Sequence, residues 1–119
     1  MKTKPLLLWP HLPLSSRVPR EDRKELSEGV ARRFGENLRR CRRLSGLSQE
    51  ELGERASLHR TEIVKLEKGE RLARIDTLVR LAGAMAIRPE ELVDGIHWTP
   101  AEARYGTFTF GSPADPDRN

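Results

Sequence analysis

The chain has 119 residues, of which 34% are charged, 36% hydrophobic and only 5% aromatic, with a formal net charge of +4. That length holds one domain with a small aliphatic core, and the modest basic excess suits a polyanionic partner without requiring one. The one cysteine, Cys41, excludes a disulfide framework and a multi-cysteine zinc site, and fits a reducing cytoplasm.

Residues 1 to about 25 contain four of the eight prolines. The apolar run Leu6-Leu7-Leu8-Trp9 is bounded by Pro5 and Pro10, with Pro13 close behind. It is too short for a membrane span and lacks the small-residue cleavage site of a signal peptide. This stretch reads as a disordered basic tail. An inert extension is the simpler reading; a basic arm of Arg17, Arg20, Arg23 and Lys24 along a phosphate backbone is the functional one.

From about residue 26 to 95 the periodicity is helical, and this span is expected to form the folded domain. Val30, Phe34, Leu38 and Cys41 make one apolar stripe and predict a first helix over about 27–45, stopped by Gly46. Within it, Arg32 to Arg43 carry six arginines against one acid, Glu36. Ser48 caps a second helix through Ala56, and Glu51 completes a capping box. A third helix is expected from His59 to Lys68, with Ile63 and Leu66 inward and Gly69 as its stop. A fourth runs from Ile75 to Met85, with Ile75, Leu78, Ala82 and Met85 facing the core. Pro89 opens a short fifth helix through Val93.

After Gly95 the pattern changes. Ile96-His97-Trp98-Thr99 and Thr107-Phe108-Thr109-Phe110 alternate with period two and are rich in strand formers, so residues 96–110 read as an extension with a hairpin across Pro100 to Gly106. Thr99-Pro100-Ala101-Glu102 equally suits the start of a helical turn. Trp98, Phe108 and Phe110 either close the small core or form a dimer contact. Residues 111–119 read as a disordered tail. The expected fold is therefore all-α, with five helices and a C-terminal hairpin.

Two short helices joined by a tight turn, the second with an exposed polar face, are how a helix-turn-helix presents itself to DNA. On a helix beginning near His59, Arg60 and Thr61 project from the open end while Ile63 and Leu66 point inward. Arginine pairs bidentately with guanine, and threonine meets a thymine methyl or a base edge. Arg39, Arg40, Arg42 and Arg43 cannot all share one face, so part of that run is ordinary solvated surface. Catalytic readings find no support. His11, His59 and His97 lack ligand spacing, and there is no glycine-rich phosphate loop or Ser/His/Asp set. Glu50-Glu51 and Glu90-Glu91 complement helix dipoles at helix starts. Cys41, on the apolar stripe, reads as a buried structural thiol. No cofactor, metal or enzymatic activity is expected.

Gln49-Glu50-Glu51-Leu52, then Ile63, Leu66-Glu67 and Gly69, then Leu78, Leu81-Ala82 and Ile87, resemble the XRE-type helix-turn-helix of lambda repressor and Cro. The likeness spans roughly Phe34 to Ile96. It implies a five-helix domain that binds double-stranded operator DNA, usually as a homodimer. By the resemblance, Gln49 contacts the phosphate backbone and braces the reading residues. His59, Arg60, Thr61 and Lys65 take base-reading or groove-facing positions, and Glu62 orients neighbours or faces the groove. Arg71 and Arg74 touch phosphates, and Arg42 with Glu67 forms a partly buried salt bridge. Four departures stand out. Ser57 takes the usual glycine of the turn, Gly53 a common alanine, His59 a Ser or Thr cap, and Ala73 a frequent proline. The implied function is transcriptional control in the cytoplasm, most simply repression. An antitoxin or restriction-modification controller with a protein partner, and a protein-interaction module that no longer binds DNA, use the same domain.

Overall fold

A helix of 25 residues sets the frame. The computed structural model describes residues 20–100 and 106–111, with side chains from residue 24 onward inside the first helix. The element order is α1 (Arg20–Leu44), α2 (Gln49–Ala56), α3 (Arg60–Glu67), α4 (Ile75–Met85), a 3-10 turn (Pro89–Glu91), β1 (Ile96–Thr99) and β2 (Thr107–Phe110). The parts of the expected tails at 1–19 and 112–119, and the hairpin connection at 101–105, lie outside the described residues.

The class is as expected, mostly helical with one antiparallel hairpin, but the elements differ from the sequence expectation in three places. α1 includes Arg20 to Leu26, inside the stretch assigned to a tail, because these residues are, Asp22 apart, good helix formers uninterrupted by glycine or proline. The fifth helix shrinks to a 3-10 turn. Asn37 Nδ2 donates to Leu92 O (3.0 Å) and Asp94 O (2.9 Å), and Ile96 N–H bonds Val93 O (3.0 Å), so the chain folds back instead of propagating. Ile75, expected in the core, is 76% exposed. The buried face of α4 is Thr77, Leu81, Ala82 and Met85, and Ile75, at the first position of the helix, lies on the line of Ala82 but beyond the end of the core.

The rest follows local rules. Gly46 takes φ +73 at the end of α1, and Gly69 takes φ +74 after α3. Ser48 Oγ accepts from Glu51 N–H (3.0 Å) while Glu51 Oε1 accepts from Ser48 N–H (2.8 Å), completing the capping box. Ser57 accepts the left-handed conformation the turn demands, at φ 58, a position where a Cβ costs energy and glycine does not.

The core joins Leu38 of α1, Leu52 of α2, Ile63 and Leu66 of α3, Leu81 of α4 and Leu92 after the 3-10 turn, all fully buried. Burying each such side chain contributes about 1.5–3 kcal/mol. α1 packs on α3 and β2, while α2 packs on α3 and α4. In the hairpin Ile96 pairs with Phe110 and Trp98 with Phe108, so all four share one face. Phe110 lies against Gly29 of α1, and the Trp98 and Phe108 rings meet edge to face with centroids 5.0 Å apart. The hairpin thus closes onto α1 through part of its apolar face, while Trp98 stays 45% exposed.

Candidate nucleic-acid interface

α3 is only eight residues long and has two fully buried side chains, Ile63 and Leu66. Its start is capped by His59, whose Nδ1 accepts from Thr61 N–H at 3.0 Å. Histidine does here what Ser or Thr does elsewhere, satisfying an N–H that the first turn leaves open. An imidazole accepting at Nδ1 carries its hydrogen on Nε2, which leaves one outward donor at the helix start. Arg60 and Thr61 follow on the exposed surface, with Lys65 half-buried one turn on.

The far end of α3 is fastened by charge. Glu67 accepts from Arg42 Nε (2.5 Å) and Nη2 (3.1 Å), and from Gln49 Nε2 (3.1 Å). Arg42 Nη1 donates in turn to Leu47 O at 2.9 Å. The Glu67 side chain is 4% exposed and that of Arg42 12%. A bidentate pair at this depth, with its remaining donors and acceptors used, is costly to break because either partner alone would be stranded. The network joins the end of α1, the start of α2 and the end of α3, with Gln49 tying the start of α2 to the end of α3.

Two close approaches set the spacing. A Cβ added at Gly53 would lie 2.6 Å from Leu58 O, in the connection between α2 and α3. One added at Gly35 would lie 2.6 Å from Glu67 O, so α1 crosses α3 almost backbone to backbone.

The loop after α3 returns beside it. Arg71 Nη1 bonds Glu62 Oε1 at 2.6 Å, uniting two of the expected site residues. Arg74 instead turns to Asp76 Oδ1 at 3.2 Å and opens α4 without a side-chain cap. Both pairs are exposed, which makes them weak and open to competition. Gln49, His59, Arg60, Thr61, Glu62, Lys65 and Arg71 therefore gather around α3, while Arg74 lies one step away.

Sequence reasoning passed over Asn37, Gly35 and Arg33. Asn37 is a fully buried polar residue that ties α1 to the carbonyls after the 3-10 turn. Its signal was a polar side chain next to the Phe34–Leu38–Cys41 stripe. Gly35 was legible as a glycine interrupting a helix, which marks a close approach. Arg33 donates to Gly111 O, a contact 78 residues away in sequence that no local pattern announces. Burial pushes the Cys41 thiol up, outweighing nearby Arg40, while Glu91 and Asp94 add to the rise, so it stays a neutral packing group. Among the described residues no group of His, Cys, Asp and Glu is placed to hold a metal ion, and no helix is long and apolar enough to cross a membrane.

Comparison with known proteins adds the following. The helix-turn-helix family model matches residues 38–92. Control protein C.BamHI of Bacillus amyloliquefaciens is 36% identical over 62 residues, covering 51% of this chain and 76% of its own length. An uncharacterised HTH-type transcriptional regulator of Sinorhizobium fredii is 37% identical over 70 residues, covering 59% of this chain and 91% of its own. The crystal structure of the restriction-modification controller protein C.AhdI from Aeromonas hydrophila superposes with a TM-score of 0.51 at 37% identity, over 52% of this chain and 94% of that one.

Proposed function

This chain belongs to the helix-turn-helix family of DNA-binding regulators, and from that premise we propose that it is a sequence-specific transcriptional regulator that binds a near-palindromic operator as a homodimer and represses. The observation that carries the reading is the disposition of α3. Arg60 and Thr61 are exposed at its capped start, its opposite face is fully buried, and Glu67 pins its end.

In this reading α3 enters the major groove and reads base edges through Arg60 and Thr61, with His59 Nε2 and Lys65 alongside. Arg71 exchanges its weak bond to Glu62 for a phosphate, and Arg74 reaches the backbone nearby. Gln49 lies at a helix start, where phosphate oxygens are favoured. Two copies of α3 sit about 34 Å apart, one turn of the duplex. The protein works in the cytoplasm as a binder, without catalysis or cofactor.

Selection from a random duplex library at two salt concentrations tests this. A near-palindrome, with affinity falling steeply as salt rises, is the expected result. Absence of any motif, with salt-insensitive retention, would overturn it in favour of a protein-interaction module. Arg60→Ala should weaken cognate binding by about 1–3 kcal/mol and relax preference at one base position. Unchanged cognate affinity would remove α3 from the reading role.

Likeness to control protein C.BamHI and to restriction-modification controller C.AhdI favours a second, narrower reading. Here the chain times expression of a restriction-modification system. Binding upstream of its own gene and of an adjacent nuclease or methyltransferase gene is its signature. A genomic neighbourhood without such genes removes it.

A further inference from the structure

α2 and α3 each carry a glutamate three residues past the cap, and the two are used differently. Glu51 turns back to Ser48 N–H at 2.8 Å and closes a capping box. Glu62 holds the same place in α3 and closes none. The cap His59 serves Thr61 N–H, and the Glu62 carboxylate accepts from Arg71 Nη1 at 2.6 Å, nine residues further along the chain. Among the described residues it forms no ion pair with Lys65, its neighbour at three-residue spacing on the same helix. The side chains of Glu62 and Arg71 are 26% and 46% exposed, against 55% and 83% for Asp76 and Arg74. Of the two ion pairs made by arginines of the loop after α3, this one is the better sheltered.

Each partner alters what the other can do on a duplex. A carboxylate beside the groove is repelled by phosphates unless a cation neutralises it. An arginine spent on a carboxylate offers the backbone no net charge and displaces no counterion. One base edge resolves both. Cytosine presents its N4 amine in the major groove, and a glutamate accepts from it. Once turned to that amine, Glu62 gives up Arg71, whose guanidinium is then free for a phosphate.

We infer that the Glu62–Arg71 pair is a specificity gate. On the wrong sequence it stays closed and withholds one cation per chain from the backbone. Where Glu62 meets a cytosine it opens, and one base contact brings one phosphate contact with it. The closed pair weakens binding to competing sequence and the open pair strengthens binding to the operator, and discrimination is the difference between the two. Such a gate needs partners already bonded in the free protein, yet bonded weakly enough to part. A short contact between partly exposed side chains supplies both. This inference rests on the reading of a duplex by α3 and makes Glu62 a determinant of which sequence is read.

Titration of the full chain with the duplex recovered by random selection, and with a scrambled duplex of the same length, tests it. For the wild type, log affinity should fall more steeply with log salt on the selected duplex, by about 0.9 per chain for the one added phosphate. Glu62→Ala should abolish that difference and tighten the scrambled complex. The ratio of the two affinities should drop about tenfold, the order of one lost base contact, and repeated selection should lose a cytosine preference. Arg71→Ala should lower the same ratio in the wild type and leave it unchanged in Glu62→Ala, because without Glu62 the arginine is free on either duplex. Melting temperatures should stay close to wild type, since the pair is exposed. An Arg71→Ala effect that is equal in both backgrounds, or a salt-slope difference that survives Glu62→Ala, overturns the gate while leaving the regulator standing. Recovery of no motif from the selection overturns both.

Discussion

α3 and the hairpin are held to the same α1 on different terms. α3 offers the core only Ile63 and Leu66 and is secured at its end by Glu67, Arg42 and Gln49. The hairpin lays an apolar face over α1 through Phe110 and Ile96, helped by Arg33 donating to Gly111 O. A helix that leaves half its surface open, as the proposed reading of a duplex by α3 requires, cannot be wrapped by apolar side chains. A buried, fully bonded ion pair fixes its position with little area. The hairpin has no such constraint, lies outside residues 38–92, and uses ordinary contact.

The sharpest way to break this comparison is Glu67→Ala. It strands the Arg42 guanidinium with only Leu47 O, and stability in urea should fall by about 3–5 kcal/mol, with operator binding lost alongside. A loss below about 1 kcal/mol, the range of a surface pair, would mean that apolar contact alone seats α3. Gly35→Ala comes next. Its methyl would press on Glu67 O, and we expect a loss of about 1–3 kcal/mol from overpacking, although alanine is the better helix former. A gain in melting temperature would show that the α1–α3 approach has slack.

Trp98→Ala probes the other region. Losing the edge-to-face ring pair should cost about 0.5–1.5 kcal/mol and leave operator affinity per folded molecule unchanged. A drop in affinity would tie the hairpin to α3 after all. The smallest effect belongs to the cap of α2. The hydrogen bond donated by Ser48 N–H, followed by that with the Ser48 side chain as donor, holds the Glu51 carboxyl below the ordinary glutamate range. Its stabilisation is full above the unfolded-state value, about pH 4.3, and is lost as pH falls through the lower folded value. The melting-temperature gap between wild type and Glu51→Gln should be present at pH 7 and close in acid. A gap that persists below about pH 3, where carboxyls are largely protonated, would assign it to something other than the charge.

Much of the interface was legible from local signals. Ser48 and Glu51 announce the start of α2, and Gly46 and Gly69 end α1 and α3, because caps and stops depend on a few adjacent residues. The Arg42–Glu67 pair was anticipated through resemblance, since its partners are 25 residues apart and no spacing rule joins them. His59 was marked as an odd cap and proves to be a working one. Periodicity misled at Ile75. It shows that a helix has a face but not where along the helix the core ends.

By itself the sequence determined the helix boundaries around the turn, the inward stripes of α1 and α3, and the two alternating stretches after Gly95 that become strands. Each of these is set by backbone and side-chain preferences within a few residues. Tertiary structure alone decided that Asn37 stops the fifth helix short, that Gly35 admits α3, that Arg33 holds the hairpin, and that α4 keeps an apolar ridge in solvent. Those outcomes depend on which surfaces meet across long loops, and contacts of that range leave no periodic trace in the chain.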